Sequence, residues 1–274
     1  MSRVLLLSEL HPALDQLVAG AGLVGVLPDA GDAIGEPQIA EQARAHLRRA
    51  GAHVVDVDLD GDVGAQLSRL DVLVVTGGDP SALNVRLRRT GGGELIVAAV
   101  RAGLRYAGIS AGAMVAGPSL APQLDAAVAE LPPGEALRAL GLTEVHVLVH
   151  HGRRGRDGLH ARAMERHAVQ ATLVPLADAD ALLLRDGEPE LLGPQHGERL
   201  RSALTADAPA LAALLDDVDW PERLRRPGVV VATRDGGVEG VIELGKRTLT
   251  SLGVPPGAVA VERRLRAWAV AATV

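Results

Sequence analysis

The sequence predicts an α/β fold, a mostly parallel sheet with helices on both faces, followed by a small C-terminal α+β appendage. Over the first two-thirds of the chain, runs of Val, Leu and Ile alternate with helix-like segments, as in sheets that are buried on both faces. Glycine-rich and polar segments follow directly after these runs, at the strand ends where such sheets bind ligands. The composition then changes near Gly197, which predicts a second, smaller unit.

The individual elements follow from the spacing of apolar residues, which recur every second position in strands and every three to four in helices. Strands are predicted at Arg3–Leu7, His53–Leu59, Asp71–Val75, Tyr106–Ile109, Val145–Val149 and Ala171–Leu176, with a hairpin at Ala181–Leu192. Helices are predicted around Ile39–Leu47, over Ser81–Ala102 with an interruption at Gly91–Gly93, from Ala111 onward, and over Arg156–Ala168.

The C-terminal segment has its own pattern. An Asp207-capped helix at Ala208–Leu215 is followed by a predicted hairpin with strands Val229–Thr233 and Val238–Leu244. The sequence therefore predicts two units, residues 1–200 and a small C-terminal domain at residues 204–274. The helix and hairpin faintly resemble the opening of an N-acetyltransferase fold. Because no acetyl-CoA pyrophosphate loop follows, we expect a structural or partner-binding role instead of acetyl transfer.

Composition narrows the function classes. Of 274 residues, 47% are hydrophobic and only 1% aromatic, so Leu, Val, Ile and Ala must fill the core. The net charge of −6 and the scattered arginines argue against nucleic-acid binding. The absence of cysteine excludes disulfides, thiolate catalysis and Cys-ligated zinc. Without a recognisable signal peptide or an apolar segment long enough to span a membrane, the chain is expected to be cytoplasmic and soluble.

The strongest local motif is Gly108–Ala113 (GISAGA), which lies between a predicted strand and a predicted helix. A serine at such a tight strand-to-helix turn is the nucleophile-elbow arrangement, in which the hydroxyl is exposed at the N-terminus of a helix. Ser110 is therefore the candidate nucleophile. The alternative is an ordinary turn in which Ser110 only caps the helix.

A second glycine-rich turn, Gly77–Pro80 (GGDP), follows the strand at Asp71–Val75. Its backbone N–H groups could contribute to an oxyanion hole, and we predict Gly78 N–H and Ala111 N–H as the two donors. The alternative is a simple turn into a helix with Pro80 in its first turn.

A histidine pair, His150 and His151, follows the strand at Val145–Val149. A histidine at the end of one strand can take a proton from a nucleophile on a neighbouring strand. Between Ser110 and this pair lie Asp125 and Glu130, either of which could orient the imidazole. The pair could instead be surface residues or metal ligands, although no third ligand with suitable spacing is recognisable.

Together these motifs resemble the peptidase E (aspartyl dipeptidase) and cyanophycinase family of serine peptidases, which has the class I glutamine-amidotransferase-like fold. The resemblance covers roughly residues 1–200. The matching segments are Gly77–Pro80, Tyr106–Ala113, Gly117–Ser119, His150–Gly152, Pro175–Ala179 and Asp186–Gly187. Departures are Asp79, where the family often has Asn, and Leu148-Val149, where it has Asn-Pro.

The resemblance implies that Ser110 is the nucleophile, His150 the base and Asp125 the acid, because the gapless run from Ser110 places Asp125 where peptidase E has its acid. It also implies a substrate-binding role for Asp79, His151 and Arg156. Arg156 is the closest match to the arginines that hold an acidic side chain in aminopeptidase-like members.

We therefore expect hydrolysis of small peptides through an acyl-enzyme, with no metal and no organic cofactor. The alternatives are an amidase or esterase acting on a non-peptide metabolite, and a catalytically silent binding module with the same fold. The sequence leaves the oligomeric state open.

Overall fold

The structure, a computed structural model, describes residues 3–125, 137–194, 198–215, 220–224, 227–244 and 249–254, position 258, and residues 261–263, 265–266 and 268–269. A seven-stranded central sheet, a two-stranded sheet and a four-stranded sheet contain the thirteen strands of these residues. None of the described helices is long and apolar enough to cross a membrane.

The central sheet has the strand order β3-β2-β4-β5-β1-β8-β9. Its strands β3, β2, β4, β5 and β1 run parallel to their neighbours, whereas β8 and β9 are antiparallel. The strands of this sheet are β1 (Arg3–Leu7), β2 (Val24–Leu27), β3 (Val54–Asp56), β4 (Val72–Val75), β5 (Arg105–Ile109), β8 (Ala181–Arg185) and β9 (Glu188–Leu192).

The helices include those predicted from apolar spacing around Ile39–Leu47, within Ser81–Ala102, from Ala111 onward, over Arg156–Ala168 and at Ala208–Leu215, and several short helices that were not predicted. In chain order, the described helices are α1 (Ala13–Val18), α2 (Asp29–Asp32), α3 (Gln38–Arg49), α4 (Val63–Leu67), α5 (Pro80–Thr90), α6 (Gly92–Arg101), α7 (Ala111–Ala116), α8 (Ala121–Asp125), α9 (Asp157–His167), α10 (Ala208–Leu215) and α11 (Trp220–Arg223). The interruption predicted within Ser81–Ala102 is the junction of α5 and α6, where Gly91 has a left-handed φ of 70°.

Both faces of the central sheet are buried, as the apolar strands predict. In β1, Val4 and Leu6 join one hydrophobic cluster, which also includes residues of α5 and α6. Leu5 and Leu7 join the opposite cluster, which includes residues of α1 and α3. This alternation follows from the two-residue period of a strand. The predicted α/β class, a mostly parallel sheet with helices on both faces, is confirmed.

Two further sheets complete the described fold, and the first of them contributes Val147 and Val174 to the same hydrophobic cluster as Leu6. Strands β6 (Val145–His151) and β7 (Thr172–Ala177) pair in parallel. The antiparallel sheet β10-β11-β12-β13 is formed by β10 (Glu198–Ser202), β11 (Val229–Arg234), β12 (Gly237–Leu244) and β13 (Leu249–Gly253). The predicted C-terminal hairpin is β11 and β12, while β10 joins this C-terminal sheet from before residue 204.

Asp207 lies immediately before α10, where the cap was predicted, and it also holds the preceding turn. It closes a 3₁₀ turn at Thr205–Asp207, and its carboxylate accepts hydrogen bonds from Leu204 N–H at 2.8 Å and from the Arg201 guanidinium. This second role depends on Arg201 of β10, a partner that the local spacing of apolar residues does not reveal.

Candidate active site

Ser110 lies on a strained turn between β5 and α7. Its backbone has φ 50° and ψ −109°, a conformation that residues other than glycine rarely adopt. Two glycines permit the turn, because a Cβ on Gly112 would lie 2.1 Å from the Val75 carbonyl oxygen and one on Gly108 would lie 2.4 Å from the Gly112 carbonyl oxygen. The close packing of α7 on the strand ends thus fixes the serine at the elbow.

His150 faces this serine. Its Nε2 lies 3.0 Å from Ser110 Oγ, within hydrogen-bond distance. Four non-glycine residues in the described part of the chain have a positive φ, and two of them, Asp186 and Asp235, form Asp-Gly hairpin turns. The other two are Ser110, whose φ is 50°, and His150, whose φ is 62°. Backbone strain therefore falls on both members of this pair.

A buried hydroxyl fixes the backbone of His150. Ser8 follows β1 and has no exposed surface. Its Oγ accepts a hydrogen bond from His150 N–H at 2.9 Å and donates one to the Leu176 carbonyl at 2.8 Å. The ends of β1, β6 and β7 are thereby joined directly beside the histidine.

The acid at the other ring nitrogen is Asp178, which sequence reasoning missed. Asp178 Oδ1 lies 2.9 Å from His150 Nδ1, and its Oδ2 accepts from Arg153 Nε at 2.6 Å. Partial burial acts to raise the pKa of Asp178, but the hydrogen bonds from His150 and Arg153, with the Arg153 charge, outweigh it, so this pKa lies below its ordinary value. The carboxylate is therefore ionised and aligned with the imidazole.

One sequence signal pointed toward Asp178. It lies in the segment Pro175–Ala179, part of the family resemblance, and it directly follows a predicted strand. Asp125, the acid that the resemblance implies, is the last residue of α8, and its side chain lies outside the described residues, as does Glu130. Its role therefore stays a prediction, while the structure puts Asp178 at the expected position of the acid.

The predicted oxyanion donors lie on the two turns next to the nucleophile. Gly78 has φ +137°, and a Cβ there would lie 2.0 Å from the Ala30 carbonyl oxygen, so only glycine fits. A Cβ on Gly77 would lie 3.2 Å from Ser110 Cβ, which places this turn beside the serine. No hydrogen bond from Gly78 N–H or Ala111 N–H is found among the described residues. Both donors are thus suited to receive an oxyanion.

The three predicted substrate-binding residues differ in their surroundings. Asp79 caps α5, because its Oδ1 accepts from Ser81 N–H at 2.7 Å and Ala82 N–H at 2.9 Å. Arg156 is exposed at the start of α9. The ring of His151 stacks on that of His160, with 5.5 Å between centroids.

Burial keeps both of these histidines neutral. It lowers the pKa of His151, to which the Arg199 charge adds, and it lowers the pKa of His160 to about 4. Neither ring therefore offers a positive charge to a substrate near neutral pH.

The arginines that follow His150 also differ from one another. Arg153 binds two carboxylates, those of Asp178 and Glu9. Arg154 and Arg156 are both exposed. Of these three arginines, Arg153 is thus the one that is paired with Asp178.

Among the described residues, one group of side chains is compact enough to hold a metal ion, namely Glu9, His150 and Asp178. His150 Nδ1 is already bonded to Asp178, and it lies 4.0 Å from Glu9. Arg153 bridges both carboxylates and offsets part of their negative charge within the protein. The group is accounted for by the histidine–acid pair and its arginine.

Comparisons with known proteins identify a peptidase family and several relatives. The sequence profile of Peptidase family S51 matches residues 6–192. Peptidase E of Streptomyces coelicolor is 42% identical over 96 residues, which are 35% of this chain and 40% of that relative. An uncharacterized peptidase of Listeria innocua is 28% identical over 159 residues, 54% of this chain and 73% of that protein.

Two solved structures share the fold. A Listeria monocytogenes EGD-e protein, provisionally named peptidase E, superposes with a TM-score of 0.60 at 22% identity, covering 70% of this chain and 98% of that one. A peptidase from an acI-B1 Actinobacterium has a TM-score of 0.54 at 15% identity, covering 93% of this chain and 95% of that one. The second likeness extends into the C-terminal sheet.

Proposed function

Because this chain belongs to peptidase family S51, we propose that it is a serine peptidase that hydrolyses small peptides through an acyl-enzyme on Ser110. The observation that carries the proposal is the continuous chain Ser110 Oγ–His150 Nε2 at 3.0 Å and His150 Nδ1–Asp178 Oδ1 at 2.9 Å. Nucleophile, base and orienting acid thus stand within hydrogen-bond distance in the order that acyl transfer requires.

In the proposed reaction, Ser110 Oγ attacks the scissile carbonyl carbon while His150 Nε2 takes the hydroxyl proton. His150 then returns this proton to the leaving amine, which departs and leaves an ester on Ser110. A water molecule, deprotonated by the same nitrogen, hydrolyses the ester and restores the hydroxyl. Asp178 keeps the proton of the neutral ring on Nδ1, so that Nε2 is free to accept.

The oxyanion formed in each half-reaction would be received by Gly78 N–H and Ala111 N–H. Fixed backbone donors stabilise the developing charge without having to reorganise during the reaction. Ala111 N–H is at the first position of α7, where the helix dipole also favours a negative charge. The strained serine and these donors belong to the same two turns, which supports a common role.

For the substrate we propose a small peptide with an acidic group next to the scissile amide. Arg156 is the candidate anchor, because Arg153 is already held by Asp178 and Glu9. A guanidinium can bind a carboxylate through two parallel hydrogen bonds. Arg156 is exposed at the start of α9, and among the described residues its guanidinium has no hydrogen-bond partner that a substrate would have to displace.

A fluorophosphonate probe tests the activated serine. Labelling of the parent, followed by peptide mapping, should modify Ser110, and Ser110→Ala should remain unlabelled. Ser68→Ala is the matched control, since Ser68 is exposed and its hydroxyl donates a hydrogen bond to the Ala65 carbonyl at 2.9 Å. An unlabelled parent would instead support the silent binding module. Hydrolysis of dipeptides compared with acyl esters then separates the peptidase from the esterase alternative.

A further inference from the structure

The turn that carries Asp178 is closed by another acid. Asp180 N–H donates to the Ala177 carbonyl at 3.0 Å, and Asp180 Oδ2 accepts from Ala177 N–H at 3.2 Å. Asp178 is the second residue of this four-residue turn between β7 and β8. Its carboxylate therefore depends for its position on the two hydrogen bonds that Asp180 makes across the turn.

Asp180 is in turn held from the C-terminal sheet. Arg199 of β10 donates from its guanidinium to Asp180 Oδ2 in an ion pair whose side chains are only 6% and 1% exposed. Removing one partner of such a pair leaves a buried, uncompensated charge, which is strongly destabilising locally. Arg199 lies beyond residue 192, where the match to the family ends.

The strand that carries Arg199 is itself fixed on both sides. Its backbone pairs with β11, where Arg199 is opposite Thr233. Three residues later, Ser202 Oγ accepts from Leu173 N–H of β7 at 2.9 Å. Arg199 thus reaches the turn from a strand aligned with β7, and a group on a paired strand is placed more accurately than one on a loop.

From these contacts we infer that the C-terminal sheet positions the catalytic acid, with Arg199 as a positioning residue that acts on Asp178 through Asp180. The catalytic role of Asp178 rests on the proposed function, whereas the positional coupling rests on the contacts alone. It gives the appended sheet a role in the reaction without contact with the substrate. A displacement of about 1 Å in a catalytic group can cost about a hundredfold in rate.

The same strand offers a matched control. Arg201, two residues after Arg199, makes a two-bonded ion pair with Asp207 at 2.6 and 2.7 Å, and its side chain is 5% exposed. This second pair is similarly buried, but among the described residues none of its hydrogen bonds reaches the Ala177–Asp180 turn. Loss of either arginine should destabilise the C-terminal sheet, and only loss of Arg199 should move Asp178.

The experiment compares Arg199→Met with Arg201→Met in the full chain. We expect similar falls in Tm, but a fall in kcat of about ten- to a hundredfold with little change in KM for Arg199→Met, against less than about threefold for Arg201→Met. In an Asp178→Asn background, Arg199→Met should cost almost nothing more, because both changes act on one unit. Equal kcat losses in the two arginine variants, or additive losses in the double variant, would overturn the inference.

If Arg199→Met does not fold, Arg199→Lys and Arg201→Lys form the second pair. The same order of kcat is expected, because the lysine ammonium differs in shape and reach from the guanidinium that binds Asp180. An Arg199→Lys variant no slower than Arg201→Lys would contradict the coupling.

A readout that needs no turnover separates this inference from the proposed function. The His150 Nδ1 proton, observed by NMR in protein with ¹⁵N-labelled histidine and absent in Asp178→Asn, should shift in Arg199→Met and not in Arg201→Met. If the resonance shifts in Arg199→Met although a fluorophosphonate does not label the parent, the coupling holds and the proposed function fails. An unchanged resonance in Arg199→Met refutes the coupling whatever the activity.

Discussion

The elbow at Ser110 and the turn at Asp178 bind opposite nitrogens of the same imidazole, yet they are held in different ways. The elbow is held by backbone packed on backbone, where Gly108 and Gly112 let α7 approach the strand ends. The Asp178 turn is held by side chains from distant parts of the chain, including Arg153 and, through Asp180, Arg199. A site fixed by close backbone packing has a local sequence signature, whereas a site fixed by distant ion pairs has none.

The largest expected effect concerns the histidine that both regions share. His150→Ala should lower kcat by something on the order of a millionfold, the loss seen when the base of a well-studied triad is removed. His151→Ala should lower it by about tenfold at most, since His151 contacts His160 and not the nucleophile. Steady-state kinetics on Asp-X dipeptides measure both. If His151→Ala were the inactive variant, the assignment of the base would be wrong by one residue.

The elbow can be broken without touching a polar group. Gly112→Ala would place a Cβ 2.1 Å from the Val75 carbonyl oxygen. Because backbone cannot yield as a side chain does, we expect a loss of about 1–3 kcal/mol or more in unfolding free energy, together with most of the activity. Gly64→Ala in α4 is the control, because its Cβ would meet nothing closer than 3.5 Å. Urea unfolding of the two variants measures the difference, and a Gly112→Ala variant of normal stability would contradict the packing argument.

Specificity sharpens the contrast between Arg153, which binds Asp178, and the two arginines that follow it, Arg154 and Arg156. Arg156→Ala should lower kcat/KM for Asp-X dipeptides by roughly one to two decades, which corresponds to about 1.5–3 kcal/mol of lost transition-state stabilisation. The kcat/KM for Ala-X dipeptides should be nearly unchanged. Arg154→Ala, which removes another exposed arginine, should affect neither substrate. Equal kcat/KM for acidic and neutral dipeptides in the parent would refute the acidic preference.

The smallest effect is a pH dependence of stability. Because the folded-state pKa of Asp178 is lowered, its ionised form stabilises the fold fully above the unfolded pKa of about 3.9, and this contribution is lost as the pH falls through the folded value. The Tm difference between the parent and Asp178→Asn should therefore shrink as the solution is acidified from neutral pH to about pH 2. A difference that stayed constant over this range would contradict a lowered pKa.

Much of the fold could be predicted from apolar spacing, because strands buried on both faces are nearly continuous runs of Val and Leu. Strand β1 has the predicted bounds, Arg3–Leu7. Strand β2 was missed, since Val24–Leu27 is only four residues long and is interrupted by Gly25. That glycine leaves room for Leu70, because a Cβ there would lie 2.4 Å from a Leu70 methyl group.

The site was predictable where it is local. Ser110, Gly78 and Ala111 belong to short glycine-rich turns at strand ends, and the structure brings these turns together. Asp178 could not be assigned in the same way, because its contact with His150 depends on where β6 and β7 end relative to Ser110. The pairing of Arg153 with Asp178 and Glu9 could likewise not be predicted, because it depends on the same tertiary contacts.

The central claim is that His150 works with Asp178, and the comparison of Asp178→Asn with Asp125→Asn tests it most directly. Asparagine preserves the shape of each side chain while removing its charge, and in a well-studied triad this change lowers kcat by about 10⁴-fold. We predict a loss of that order in kcat for Asp178→Asn and a far smaller one for Asp125→Asn, with both proteins folded by circular dichroism. Near-normal kcat in Asp178→Asn, with the large loss in Asp125→Asn, would contradict the account and return the role of the acid to Asp125.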